Sequence, residues 1–122
     1  MIIWLTGNSG AGKTTLAYKL KTENSVVLDG DELRGAISKD LGLSKEDRIE
    51  HNLRVARLAK TLEQQGFDVL VSVICPYREL RLQIRELIGC LFVHVLGGKT
   101  GYAYPYEIPL RDEIIARIAY RS

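Results

Sequence analysis

The sequence predicts an α/β fold of three layers, in which a small parallel sheet lies between layers of helices. Short apolar segments alternate with segments of helical periodicity along the chain, and this pattern is typical of parallel strands joined by right-handed crossovers. The 122 residues are 46% hydrophobic and 26% charged, which suits one core. We therefore expect residues 1–122 to form a single domain.

A glycine-rich loop joins the first predicted strand to the first predicted helix. Residues 7–14 read G-N-S-G-A-G-K-T, which fits the phosphate-loop pattern G-x-x-x-x-G-K-T. Because a strand precedes the loop and a helix follows it, a glycine-rich turn of unrelated role is the weaker interpretation. Backbone N–H groups and the positive helix end would surround a phosphate. The sequence therefore predicts a P-loop NTPase or nucleotide-kinase-like fold.

The other elements are predicted from apolar periodicity and from capping residues. About four parallel strands are expected, at residues 2–6, 25–28, 67–74 and 90–95. Helices are expected at 13–21, at 31–40, between the Ser44 cap and Gly66, at 79–88, and around Leu110, Ile114 and Ile118. Parallel strands bind ligands beyond their carboxyl ends, so residues 7–14, 29–31, 75–78 and 97–99 should meet at one edge of the sheet.

Two carboxylates, Asp29 and Asp31, flank Gly30 directly after the second strand. Close to bound ATP they would suit a ligand of metal-bound water and a base for an attacking hydroxyl. The alternative is a polar turn in which Asp31 caps the following helix.

Together these motifs resemble the adenylylsulfate (APS) kinases, which phosphorylate the 3′-hydroxyl of adenosine 5′-phosphosulfate. The resemblance is carried by I-W-L-T-G-N-S-G-A-G-K-T-T-L-A (3–17), L-D-G-D-E-L-R (28–34), L-G-L-S-K-E-D-R (41–48), R-V-A-R-L-A-K (54–60) and I-C-P-Y-R-E-L-R (74–81), and weakly by T-G-Y-A-Y-P-Y-E-I-P (100–109). It implies an ATP- and Mg²⁺-dependent phosphotransferase with an alcohol group as acceptor, acting in sulfate assimilation.

The phosphate loop and the resemblance together assign site residues. The catalytic residues would be Lys13, Asp31 and Asp29, and the metal ligands would be Thr14 and Asp29. ATP would bind to Gly7, Asn8, Ser9, Gly10, Ala11, Gly12, Lys13, Thr14 and Thr15. The acceptor would bind to Asp29, Asp31, Arg34, Leu43, Arg48, Asn52, Cys75, Pro76, Tyr77 and Lys99.

Several positions depart from the family pattern. Leu43 and Lys99 stand where the family has phenylalanines that stack on the acceptor adenine, His51 stands where an asparagine is expected, and Cys75 replaces a serine. The family's lid segment, with its R-D-x-K-G-L-Y pattern, is missing. Two alternatives therefore stay open: a kinase for another nucleotide such as cytidine diphosphoramidate, and a non-catalytic nucleotide-binding module.

Composition and charge indicate which kinds of binding partner to expect. A net charge of +2 gives no reason to expect binding to nucleic acid or to a membrane surface. No apolar run approaches a membrane span and no signal peptide is recognised, so a cytoplasmic protein is expected, with a homodimer as one assembly that the sequence allows. Cys75 and Cys90 have no metal-ligand spacing and are expected to be reduced thiols.

Overall fold

The computed structural model describes residues 1–120, which form a five-stranded, fully parallel sheet with helices on both faces. The strands are β1 (Ile2–Thr6), β2 (Ser25–Asp29), β3 (Asp68–Ser72), β4 (Leu91–Leu96) and β5 (Ala116–Ala119), in the spatial order β2-β3-β1-β4-β5. The helices are α1 (Lys13–Leu20), α2 (Gly30–Arg34), α3 (Lys45–Gln64) and α4 (Arg78–Ile88), and a 3₁₀ turn at Arg111–Glu113 precedes β5. The predicted three-layer α/β class is confirmed.

The sheet separates two apolar clusters. Helices α3 and α4 cover one face, where Trp4 and Phe92 are fully buried. Helix α1 packs on the other face against Leu5 and Val95. Because both faces are covered around β1, four of its five residues are buried, and this central strand holds the phosphate loop in position.

The long helix α3 forms where its capping residues predict it. The Ser44 side chain accepts a hydrogen bond from the Asp47 backbone N–H at 3.1 Å, which satisfies one of the unpaired N–H groups at the helix start. The chain leaves the helix through Gly66, whose φ of 99° lies in the left-handed region that favours glycine. Val55, Ala56 and Ala59 form the buried stripe between the caps.

The predicted last helix is wrong, and with it the strand count. Leu110 precedes the 3₁₀ turn, and residues 116–119 pair with β4 as a fifth parallel strand. The apolar spacing of Leu110, Ile114 and Ile118 fits a helix, but Ile118 is 36% exposed and Leu110 54% exposed, so no buried helical stripe exists. The unpaired backbone groups of β4 bind residues 116–119 instead.

The helix expected at 31–40 is also shorter than predicted. Helix α2 ends at Arg34, and Gly35 forms its C-cap with N–H donation to Glu32 and Leu33 carbonyls. The following turns are held by Ser38, whose hydroxyl lies 2.6 Å from His51 Nδ1 in the interior. This long-range contact favours turns over the helical hydrogen bonds that the local sequence predicts for residues 35–40.

The structure also describes the two cysteines and the hydropathy of the helices. Cys75 and Cys90 are both free thiols, as predicted, and burial raises the pKa of Cys75 and raises that of Cys90 to about 12. Neither is therefore a reactive thiolate near neutral pH. Among residues 1–120, no helix is both long and apolar enough to cross a membrane.

Candidate active site

One cavity of about 400 Å³ opens at the carboxyl ends of β1, β2 and β3. It brings together the phosphate loop, the D-G-D turn after β2, the first part of α3 and the turn after β3. Of the residues predicted from the sequence, those that line it are Ser9, Gly10, Gly12, Lys13, Thr14, Thr15, Asp29, Asp31, Arg34, Arg48, Asn52 and Pro76. Gly7, Asn8 and Ala11 belong to the same loop without lining the cavity.

The phosphate loop is shaped by close backbone contacts. At Gly7 a Cβ atom would meet the Val95 carbonyl oxygen at 2.4 Å, so only glycine allows β1 to leave the sheet beside β4. Helix α1 starts after Gly12, which makes no side-chain cap bond. The first N–H groups of α1 therefore face the cavity edge without a side-chain partner, as an anion site requires.

Lys13 is held over this loop in a mostly buried position. Its Nζ donates a hydrogen bond to the Asn8 carbonyl at 2.9 Å, and the residue is only 8% exposed. Burial lowers the pKa of Lys13 to about 8, while the charges of Asp31 and Asp29 oppose that shift. An anion in the cavity would supply the counter-charge that the two carboxylates provide only in part.

Thr14 has a partner that the sequence analysis did not identify. Its Oγ1 lies 2.8 Å from the hydroxyl of Ser72, the last residue of β3, and both residues line the cavity. Ser72 is buried, so it fixes the direction of the Thr14 hydroxyl. A polar residue at the carboxyl end of the apolar segment 67–74 is the signal that could have revealed it.

The two carboxylates of the D-G-D turn have different roles in the fold. Asp29 is the N-cap of α2, because its Oδ1 accepts the backbone N–H of Asp31 at 3.1 Å. The alternative in which Asp31 caps this helix is therefore wrong. Asp31 lines the same cavity as Lys13, and its charge opposes the lowering of the Lys13 pKa. Among residues 1–120 its carboxylate makes no ion pair within 4 Å.

Two arginines, Arg34 and Arg48, also line the cavity. They donate to backbone carbonyls rather than to carboxylates: Arg34 Nη1 to Gly42 at 3.1 Å and Arg48 Nε to Leu43 at 2.7 Å. Burial and then the neighbouring charge of Arg48 lower the pKa of Arg34. Two adjacent guanidinium groups that lack carboxylate partners among the described residues can bind an anionic ligand.

Next to Arg48, the buried His51 and Asn52 complete the wall. Asn52 Nδ2 donates to the Arg48 carbonyl at 2.8 Å, while Asn52 Oδ1 and His51 Nε2 are buried without hydrogen-bond partners. Burial, followed by the charge of Arg34, lowers the pKa of His51 to about 4, so this histidine is neutral at pH 7.

Four predicted acceptor residues lie outside the cavity lining. Leu43 is 67% exposed, and the Cys75 side chain is fully buried in the core. Tyr77 packs partly against that core, with Lys45 Nζ 5.0 Å from its ring centroid. Lys99 donates its backbone N–H to the Ser9 carbonyl at 2.8 Å, and its Nζ lies 5.6 Å from the ring of Tyr104. The loop after β4 therefore contacts the phosphate loop through its backbone.

Comparison with known proteins identifies relatives. A sequence model of the family described as adenylylsulphate kinase matches residues 1–99. An adenylyl-sulfate kinase of Paraburkholderia xenovorans is 46% identical over 145 aligned positions, which include 93% of this chain and 81% of the relative. Since 93% of 122 residues is about 113, about 32 aligned positions of the relative have no counterpart here. This difference in length agrees with the expected lack of the lid segment.

Solved structures show the same similarity. The APS kinase CysC of Mycobacterium tuberculosis, in a cysteine-to-alanine variant, is 30% identical with a TM-score of 0.79 over 96% of this chain and 83% of that chain. A second structure of CysC, in complex with AMPPNP and APS, is 33% identical with a TM-score of 0.68 over 78% of this chain and 61% of that chain.

Proposed function

The chain belongs to the adenylylsulphate kinase family, and we propose that it transfers the γ-phosphoryl group of ATP to the 3′-hydroxyl of adenosine 5′-phosphosulfate. One observation carries the proposal: the phosphate-loop lysine, the free carboxylate of Asp31 and the two arginines all line a single cavity. Phosphoryl transfer needs a donor phosphate, an acceptor hydroxyl and a base within one site.

On the donor side, we assign the triphosphate to the phosphate loop. The N–H groups of residues 7–15 and the Lys13 ammonium would bind the β- and γ-phosphates. When ATP binds, Lys13 would give up its hydrogen bond to the Asn8 carbonyl and donate to a phosphate oxygen instead. The bond to phosphate is the stronger one, because both of its partners are charged. The bound triphosphate would also raise the lowered pKa of Lys13 and keep it charged.

Mg²⁺ would bind between the nucleotide and Thr14, with Asp29 beside its waters. The donor set fits this ion, because hydroxyl and carboxylate oxygens are hard ligands and Mg²⁺ keeps several waters when it binds with a nucleotide. Ser72 orients the Thr14 hydroxyl, and Asp29 lines the same cavity. When bound, the ion would neutralise charge on the transferred phosphoryl group.

On the acceptor side, we assign Asp31 as the general base. Its carboxylate would accept the proton of the 3′-hydroxyl as that oxygen attacks the γ-phosphorus, and the bond to the β-phosphate oxygen breaks. Arg34 and Arg48 would bind the phosphate or sulfate end of the acceptor. Asn52 and Pro76 would complete the wall of the acceptor site. Acceptor contacts remain predictions for Leu43, Cys75, Tyr77 and Lys99.

The cytoplasmic location and the homodimer also remain predictions.

The two alternatives are less well supported. The relatives are named for activity on adenylyl sulfate, which does not favour a cytidine diphosphoramidate kinase. A binding module without catalysis would have little need for Asp31, whose carboxylate caps no helix.

A coupled assay of ATP consumption tests the proposal against a set of acceptors. We expect turnover with adenosine 5′-phosphosulfate, little with cytidine diphosphoramidate or plain nucleotides, and a product that carries a 3′-phosphate by ³¹P NMR. Preference for another nucleotide would refute the acceptor, and ATP binding without turnover on any of them would refute the activity.

A further inference from the structure

A segment between β4 and β5 contacts the turn between β3 and α4 at the carboxyl ends of the strands. We call residues 105–113 the strap. The backbone N–H of Glu107 donates to the Pro76 carbonyl at 2.7 Å, and the Glu107 carboxylate accepts the backbone N–H of Arg78 at 2.8 Å. One strap residue therefore holds the turn on both sides of Tyr77.

Arg81, in the first turns of α4, joins the strap to the same turn from the interior. Its guanidinium donates to the Cys75 carbonyl at 2.8 Å, to the Glu107 carbonyl at 2.6 Å and to Glu113 Oε1 at 3.1 Å. The side chains of Arg81 and Glu113 are 0% and 4% exposed. A buried planar guanidinium with three acceptors fixes their positions relative to one another.

These contacts constrain the backbone of Cys75. Its φ is 49°, in the left-handed region that residues other than glycine rarely adopt. The Thr6 hydroxyl lies 3.3 Å from the Cys75 carbonyl and 2.9 Å from the Tyr106 hydroxyl of the strap. Such a backbone conformation persists only where its surroundings hold it, and here the strap and Arg81 supply them.

The constrained turn leads directly into the cavity wall, because Pro76 follows Cys75 and lines the cavity. We propose that the strap sets the position of this wall, and that Glu107 and Arg81 are positioning residues for the acceptor nucleotide. This inference rests on the proposed function, which gives the cavity its acceptor. Glu107 is exposed and does not line the cavity, so its effect must pass through the turn.

Glu107→Ala tests the inference, because it removes the carboxylate while leaving the backbone bond to Pro76. We expect the KM for adenosine 5′-phosphosulfate to rise roughly fivefold, as for the loss of one hydrogen bond, with the KM for ATP nearly unchanged. Glu107→Gln keeps an oxygen that can accept from the Arg78 N–H and should restore the wild-type KM. Glu79→Ala, an exposed glutamate on the first turn of α4, is the matched control and should behave as the wild type.

Hydrogen exchange of the Arg78 amide supplies a readout independent of turnover, and it should be faster in Glu107→Ala than in Glu107→Gln. An unchanged acceptor KM in Glu107→Ala, or equal rises in both KM values, would overturn the inference. If the wild type phosphorylates another nucleotide, only the proposed acceptor fails, and the same variants are measured with that nucleotide. If it phosphorylates none, the inference fails together with the proposed function.

Discussion

At the scale of single residues, a substitution of Asp31 should affect catalysis without affecting ATP binding. The Asp29 carboxylate caps α2, so Asp31 can lose its charge without loss of a helix cap. We expect Asp31→Asn to lower kcat by about 10²–10⁴-fold, because the variant lacks a proton acceptor, while ATP affinity changes little. Steady-state kinetics and calorimetry measure the two quantities.

Glu32→Gln is the control for Asp31→Asn, since Glu32 is an exposed neighbour on the same helix. It should retain wild-type turnover. Near wild-type kcat in Asp31→Asn would exclude Asp31 as the base.

Lys13 should make ATP affinity depend on pH. Its pKa is lowered to about 8 in the unliganded protein because of burial, so it is charged at pH 7 and loses its proton as the pH rises through 8. Because ATP would bind the charged form, affinity should fall above pH 8 by up to about tenfold per pH unit. Calorimetry from pH 7 to 9.5 measures the slope.

Lys13→Ala should bind ATP weakly at every pH and show no such decline, while keeping the fold. Unchanged ATP affinity in this variant would place the nucleotide elsewhere. The same slope in the variant and the wild type would assign the titration to another group.

At the scale of elements, the sequence predicts those parts whose signals are local. A few neighbouring residues are enough to predict the phosphate loop, the Ser44 cap and the apolar strand β3. Strand β5 does not, since residues 116–119 become a strand only by pairing with β4. The end of α2 likewise depends on the contact between Ser38 and His51, which are distant in the chain.

The same division applies to the candidate site. The lining by Lys13 and Asp31 could be predicted from local motifs, because Lys13 lies in the phosphate loop and Asp31 follows a strand. The lining by Arg34 follows from the resemblance. Ser72 escaped notice because its significance comes from a hydroxyl 58 residues away in the chain. Leu43 was assigned by resemblance, and Lys99 also by its position after the fourth strand, and neither lines the cavity.

The strap should contribute strongly to stability through Glu113. Glu113→Ala would leave Arg81 buried without its carboxylate and would also remove the acceptor for the Leu110 N–H at 2.6 Å. Removing one partner of a buried ion pair costs about 3–5 kcal/mol, so the free energy of unfolding in urea should fall by about that amount.

Glu86→Ala, an exposed glutamate of α4, should change the free energy of unfolding by less than about 0.5 kcal/mol. If the two substitutions had equal effects, the ion pair of Arg81 and Glu113 would carry no special share of the stability.

At the scale of the whole molecule, the shortened chain should allow more water to reach the reacting phosphate. The Paraburkholderia relative has about 32 aligned positions that this chain lacks, since 145 positions align with about 113 residues. A lid excludes water from the reacting phosphate, so a kinase without one should hydrolyse ATP when no acceptor is present. We expect phosphate release without acceptor to be a larger fraction of transfer turnover here than in that relative.

Phosphate release and acceptor phosphorylation are measured in parallel, with Lys13→Ala, which should bind ATP weakly, as a control for contaminating ATPases. Efficient transfer with no release in the absence of acceptor would mean that another part of the protein closes the cavity.

The strand order also bears on how the protein emerges from the ribosome. Strand β1 pairs only with β3 and β4 in the described chain: Ile2 lies beside Val69, and Thr6 lies beside His94. Such pairings cannot form from adjacent hairpins and must wait for distant segments. The phosphate loop is made among the first residues, yet its native contacts with Ser72, Ile74 and Lys99 form only after most of the chain has been made. ATP should therefore protect only nearly complete nascent chains from proteolysis.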